Sequence, residues 1–375
     1  MERQDSPIKK FLRPPIALVL IIGALATYLL RGGFRRFEIA AYPVPPPAFT
    51  NWNDVLAHPR DISLTTLQTG IVHMDACLNL DPASPRQSDC DHVPRDLAVL
   101  VHWIHHPRFG DFLIDTGFDD SFAKHPPYGN YTEAMRLFNW VNGVTNRQEP
   151  GMDLSAQLAR LNVRPKAVFF THLHPDHTGG IPALAPQTEF VFGKSEASFL
   201  ARAAVANHFS GKSKFSSIDF SLAPAMAPLG PSVDLFGDGS FWAISAPGHT
   251  DDDIAYLINA ATPVLLTGDA SHFAWAFQAG VGPRGWNNAG TARGSVSLEQ
   301  LRAFAKSLSE CKTHLRTPTL GCWWNIQLFL RSSSNRILHA ALASSKSCFR
   351  PACFRSWGAR SCTWRWTFPA PVSRP

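Results

Sequence analysis

The last 65 of the 375 residues contain no carboxylate. From Cys311 to Pro375 there are ten Lys and Arg and no Asp or Glu, so the formal charge of +6 originates in that stretch. The first 310 residues carry 25 basic against 29 acidic side chains, a balance of −4. A basic surface for nucleic acid is thereby excluded from the body of the chain. Cysteine is scarce there too: only Cys77 and Cys90 precede residue 311, and the five cysteines beyond it include no C-x-x-C pair, which argues against a zinc ribbon. No uncharged apolar run reaches the roughly 20 residues that a spanning helix needs. A composition 45% hydrophobic and 17% charged excludes a disordered or fibrous chain, and no internal repeat is visible.

The two ends differ from the body. Lys9, Lys10 and Arg13 precede an uncharged 15-residue run, Ile16 to Leu30. Its length suits the apolar region of a signal peptide, and Ala24-Leu25-Ala26 supplies a small-residue cleavage pattern. Residues 1–41 are thus read as a cleaved signal or a short membrane anchor, and residues 42–61, with Pro43 and Pro45-Pro46-Pro47, as a linker. Either reading makes the chain exported, periplasmic or membrane-anchored, with membrane contact through residues 16–30. In an oxidising compartment Cys77 and Cys90 can close a disulfide, although spacing alone does not establish it. Residues 311–375 lack any sustained period of 2.0 or 3.6. They read as foreign to the fold, as from a shifted reading frame, or as a basic extension with a role of its own.

Between about Ile62 and Lys306 short β-rich runs alternate with helical ones, the mark of a layered α/β domain; its bounds are set at 62–310. Ser63–Val72, Leu97–Ile104, Phe112–Ile114, Ala167–Phe170, Phe190–Phe192, Phe241–Ser245, Ile254–Ile258 and Val264–Thr267 are expected strands. Asp153 caps an expected helix ending at Leu161, and Leu298–Leu308 forms the last body helix.

Chemistry concentrates where one strand ends, in Thr171-His172-Leu173-His174-Pro175-Asp176-His177-Thr178-Gly179-Gly180. Four potential metal ligands fall within six residues, just before two glycines that permit a tight turn. His172 and His174 can face one side of that turn while Asp176 and His177 face the other, which suits two metals held close together.

At this motif the sequence resembles the metallo-β-lactamase superfamily, whose signature is H-x-H-x-D-H. The likeness extends over roughly Ile62–Lys306. Asp115-Thr116-Gly117 is similar to the family's early turn, Pro247-Gly248-His249-Thr250 to its G-H-T element, and Thr267-Gly268-Asp269-Ala270 to its G-D element. The resemblance implies a four-layer αββα sandwich with two Zn²⁺ per chain. His172, His174 and His249 would hold the first metal, Asp176 and His177 the second, and Asp269 would bridge them. Imidazole and carboxylate donors together suit zinc. Asp115 would orient a ligand histidine from behind.

The same resemblance implies a hydrolase in which a hydroxide between the metals attacks a carbonyl or phosphorus, with Asp176 and Asp269 as the catalytic carboxylates. The early strands, Val99 to Pro107 and Asp111 to Gly117, look like those of acyl-homoserine lactonases. Phe118, Phe122, Trp275, Phe277 and Trp286 are expected to line an acyl-chain groove or else to pack in the core. With no Arg or Lys cluster beside the motifs, a lactone or other ester is favoured over a phosphodiester. Thioesterase and phosphodiesterase activities of the same fold are the alternatives.

One element of the family pattern is missing. A further histidine for the second metal, often followed by Asp, is expected after the last body helix, and His314 is the only histidine near that place. A centre with one metal, with substoichiometric zinc or with no catalytic function is therefore a competing expectation, and a repurposed binding module is a third.

Overall fold

The computed structural model describes residues 37–200 and 207–314, with residues 19, 23 and 327–329. Two sheets form the frame. In chain order the first contains β1 (Ile39–Ala41), β2 (Ser63–Met74), β3 (Arg95–His106), β4 (Gly110–Ile114), β5 (Thr145–Arg147), β6 (Ala167–Phe169), β7 (Glu189–Gly193) and β8 (Phe215–Ile218). The second contains β9 (Ser232–Asp234), β10 (Phe241–Ser245), β11 (Ile254–Ile258), β12 (Val264–Leu266) and β13 (Gln327–Phe329). Their strand orders are β1-β8-β7-β6-β4-β3-β2-β5 and β13-β12-β11-β10-β9.

The period-2 alternation of strand side chains sorts the core into layers. Phe112, Ile114, Phe169 and Val191 of the first sheet meet Phe241, Ala243, Ile254, Tyr256 and Leu266 of the second in one central cluster. The intervening residues point outward. Leu113, Val168, Phe190 and Phe192 pack against Leu154 and Leu158 of helix Leu154–Leu161. Trp242, Ile244, Leu257 and Leu265 pack against Leu298, Leu301, Phe304 and Leu308 of helix Asn288–His314. The result is helix, sheet, sheet, helix, the αββα sandwich that the family resemblance implied.

Three local expectations change. Residues 42–61 do more than link: they contain helix Trp52–Ala57, whose Trp52 and Val55 are buried beneath the second sheet because an apolar pair at helical spacing finds a complementary face there. The last helix begins at Asn288, ten residues before the expected start, since Gly290 and Gly294 within its first turns mask the periodic signal. Those glycines allow close backbone contact: a Cβ on Gly248 would lie 2.1 Å from Cα of Gly294. Of Phe118, Phe122, Trp275, Phe277 and Trp286, only Trp286 is broadly exposed. Phe118 and Phe122 stack inside a cluster with Val72, Val99 and Tyr131, and Phe277 packs beneath the second sheet, so these three belong to the core and not to a groove.

Cys77 and Cys90 are joined in a disulfide. The expected signal or anchor segment, residues 16–30, lies outside the described residues apart from Val19 and Gly23, as does most of the basic tail. Among the described residues no helix is long and apolar enough to cross a membrane.

Candidate metal centre

Every motif of the sequence reading emerges at one end of the sandwich. Asp115 follows β4, the H-x-H-x-D-H turn follows β6, His249 lies between β10 and β11, and Asp269 follows β12. Small residues make this convergence possible. Gly268 adopts φ +54° beside Thr171, and a Cβ on Gly180 would lie 2.2 Å from the carbonyl oxygen of Thr116. Ser297 of the last helix donates through Oγ to the Pro247 carbonyl at 2.7 Å, fastening the loop that carries His249.

Three imidazole nitrogens meet at the first position. His174 Nδ1 lies 2.8 Å from His172 Nε2 and 2.9 Å from His249 Nε2. One ring nitrogen carries either one proton or one lone pair, so His174 Nδ1 cannot satisfy both neighbours by hydrogen bonding. A shared cation can, and neutral imidazoles are the form that would bind it. Burial, reinforced by the surrounding imidazoles, keeps His172 and His249 well below their usual range, and burial lowers His174 to about 4.

The second position is more anionic. His177 Nε2 lies 3.7 Å from Asp176 Oδ2 and 3.6 Å from Asp269 Oδ1. The other oxygen of Asp269, Oδ2, is 3.6 Å from His249 Nε2 and 4.0 Å from His172 Nε2. Asp269 therefore presents one oxygen to each position. Burial opposes a charge on His177, but Asp115, Asp176 and Asp269 outweigh it and hold the imidazole well above its usual range. A cation at this position would take over that neutralising role. The donor set, imidazoles around a shared carboxylate, fits zinc.

Asp115 stands behind the second position. It accepts from Thr171 N and Thr171 Oγ1, each at 2.9 Å, and its Oδ2 is 2.8 Å from His177 Nδ1. Its own backbone sits at φ +59°, a conformation that Asp tolerates better than most residues. His314, the candidate for the missing ligand, is the last residue of helix Asn288–His314; its side chain is outside the described residues.

Sequence reasoning passed over several side chains. Glu196 is fully buried, accepts from Leu173 N at 3.1 Å and Asp252 N at 3.4 Å, and so ties the two ligand-bearing loops together. Burial raises its carboxyl to about 7. Asp253, also fully buried, lies 3.8 Å from His172 Nδ1. His102 borders the cavity shared by Asp176, His177 and Asp269. His272, three residues after Asp269, places Nε2 3.7 Å from Asp269 Oδ2. No local pattern marks any of these, because a lone buried His, Asp or Glu in sequence is indistinguishable from a structural one.

A family model described as the metallo-beta-lactamase superfamily matches residues 98–281. Among solved structures, a mutant of AiiA from B. thuringiensis with N-decanoyl-L-homoserine at its active site aligns with TM-score 0.51 at 18% identity, covering 72% of this chain and 92% of that one. A quorum-quenching N-acyl homoserine lactone hydrolase aligns with TM-score 0.50 at 16% identity, covering 73% and 94%. At such identities the likeness is one of fold. No curated protein matches by sequence.

Proposed function

We propose, from the premise that this chain belongs to the metallo-β-lactamase superfamily and is a metal-dependent hydrolase, that it uses a zinc centre to open a lactone or another carboxylic ester. The observation that carries this reading is the meeting of His172 Nε2, His174 Nδ1 and His249 Nε2 at one position, with Asp269 turned between it and His177. His172, His174, His249 and Asp269 would hold one metal; Asp176, His177 and Asp269 would hold a second. Bound there, zinc supplies Lewis acidity and lowers the pKa of water to near neutrality.

The chain's own groups provide the remainder. Asp115 accepts the Nδ1 proton of His177 and so turns the Nε2 lone pair inward. Asp176, with a side chain 19% exposed, is more open than Asp269 at 6%. It is placed to take the proton of the attacking water and return it to the departing alkoxide. Asp269 fixes the spacing of the two positions. The exposed Trp286, with its ring 6.2 Å from that of His174, offers an apolar contact at the rim for an acyl chain.

An ester is favoured over a phosphodiester because no Arg or Lys lines the cavity at Asp176, His177 and Asp269 among the described residues. A panel of acyl lactones, aryl esters, thioesters and phosphodiesters, assayed after chelation and again with added Zn²⁺, tests the reading. Zinc-restored turnover of the lactone or ester supports it, and turnover of the phosphodiester alone overturns the substrate class.

We further propose that the chain is exported. The disulfide between Cys77 and Cys90 supports this reading, since such bonds persist in oxidising compartments.

A further inference from the structure

His272 was assigned no role by its sequence position, yet it faces the same carboxylate oxygen as two of the imidazoles described above. We propose that His272 is an additional metal ligand on the His249 side, making the centre asymmetric, with a strong first site and a weak second one. This inference rests on the metal-centre reading and deepens it.

Three observations support the assignment. First, donor atoms of His249, Asp269 and His272 lie within 4.8 Å of one another, as do those of His172, His174 and His249. Second, the spacing is that of ligands and not of hydrogen-bond partners. His272 Nε2 to Asp269 Oδ2 is 3.7 Å, and His249 Nε2 to the same oxygen is 3.6 Å. Both are too long for a good hydrogen bond. Donors around one zinc, with bonds of about 2.0–2.1 Å, stand roughly 3–3.5 Å apart, so an inward movement of His272 toward His249 and Asp269 would bring it in as a fifth donor. Third, the two rings meet edge to face, with centroids 4.8 Å apart and planes at 89°, which lets both nitrogens converge on one point.

His272 is also held firmly in place. It is 2% exposed, and the next residue, Phe273, is buried among Cys77, Leu80, Cys90, Ala276 and Val281. Arg95 lies over the Phe273 ring at 5.1 Å. The disulfide therefore sits behind the wall that carries His272. A ligand whose rotamer is fixed by packing loses little entropy on binding.

Counting donors by side gives the consequence. Within 4.0 Å of Asp269 Oδ2 stand nitrogens of His172, His249 and His272, with His174 Nδ1 beside the first two, whereas Oδ1 faces His177, which Asp176 flanks. Among the described residues the second side has fewer donors than the first, and an extra imidazole on the first side does not add to them.

The test is titration of the chelator-stripped full-length chain with Co²⁺, followed by visible absorption, and with Zn²⁺ against a competing chelator. The variants are His272→Ala, His272→Gln and, as a control, His172→Ala. The expected result is that both His272 variants bind the first equivalent about tenfold or more weakly than the parent and shift its Co²⁺ spectrum. Melting of the stripped chain checks folding. A merely structural role predicts that Gln, which still fills the space and hydrogen-bonds, restores parental affinity and spectrum; that result, or affinities within about twofold for both variants, overturns the proposal. Tight metal binding that survives His172→Ala would instead overturn the metal-centre reading itself.

Discussion

His177 Nδ1 and Asp115 Oδ2 lie 2.8 Å apart, across a sequence separation of 62 residues. The contact couples the turn after β4 to the turn after β6 and sets which nitrogen of His177 faces Asp269. Asp115→Asn keeps the shape but can present an N–H where His177 needs an acceptor. We expect it to weaken metal binding by about 10- to 100-fold. Competition titration with Zn²⁺, alongside melting of the stripped chain, checks this; unchanged affinity in a folded variant would remove Asp115 from the site's account.

Glu196 makes stability depend on pH in a direction opposite to most carboxylates. Burial raises its carboxyl from 4.5 to about 7, so the folded state holds a proton that the unfolded state has released. Its contribution is complete below the unfolded value and declines as pH rises through about 7. The decline is on the order of 3 kcal/mol at most. Glu196→Gln, which cannot ionise, should flatten this part of the curve. Urea unfolding at several pH values would show it, and parallel curves for the two proteins would contradict the assignment.

The disulfide closes a short loop, with Cys77 and Cys90 separated by 13 in sequence. Removing it as Cys77→Ala/Cys90→Ala should cost about 2–3 kcal/mol. Because Phe273 packs on this cluster, metal affinity should fall along with melting temperature. Thermal melts with and without reductant, paired with zinc titration, measure both. A variant that melts like the parent would place the bond outside the stabilising framework.

We propose that the uncharged run at residues 16–30 contributes to targeting and that the folded body begins at Phe37. Phe37 and β1 belong with the body, since Phe37 packs on Phe215 and Ile39–Ala41 pairs with Phe215–Ser217. Deleting residues 1–36 should therefore release a soluble, metal-binding body, whereas deletion beyond residue 41 strips an edge strand and lowers stability. Membrane fractionation decides the first point. A chain from Phe37 that still sediments with membranes would refute the assignment.

The layered α/β class was legible because short apolar runs alternate with helical ones, and the family resemblance implied the four layers; in the fold, adjacent residues of a strand reach different cores, as Leu113 and Ile114 do. The ligands His172, His174, Asp176, His177, His249 and Asp269 were legible because each stands in a motif of fixed spacing. His272 and Glu196 were not: their neighbours in the chain are unremarkable, and only the folding of remote loops brings them to the centre. The aromatic residues stayed ambiguous for a related reason. Phe118 and Phe122 read alike whether they line a groove or stack in a core, and the stacking at 3.7 Å between ring centroids exists only in three dimensions. Helix Glu133–Val141 was passed over although Ala134, Leu137, Phe138 and Val141 stand at helical spacing; its large apolar residues, Leu137, Phe138, Trp140 and Val141, face solvent.

The most direct measurement is the rate of acyl-lactone opening by the chelator-stripped full-length chain as Zn²⁺ is returned, followed in parallel for Asp269→Ala. The account predicts negligible turnover without metal, recovery on addition of zinc, and no recovery in the variant, whose two metal positions lose their shared carboxylate. Full turnover by the stripped chain, or equal recovery in Asp269→Ala, would contradict it.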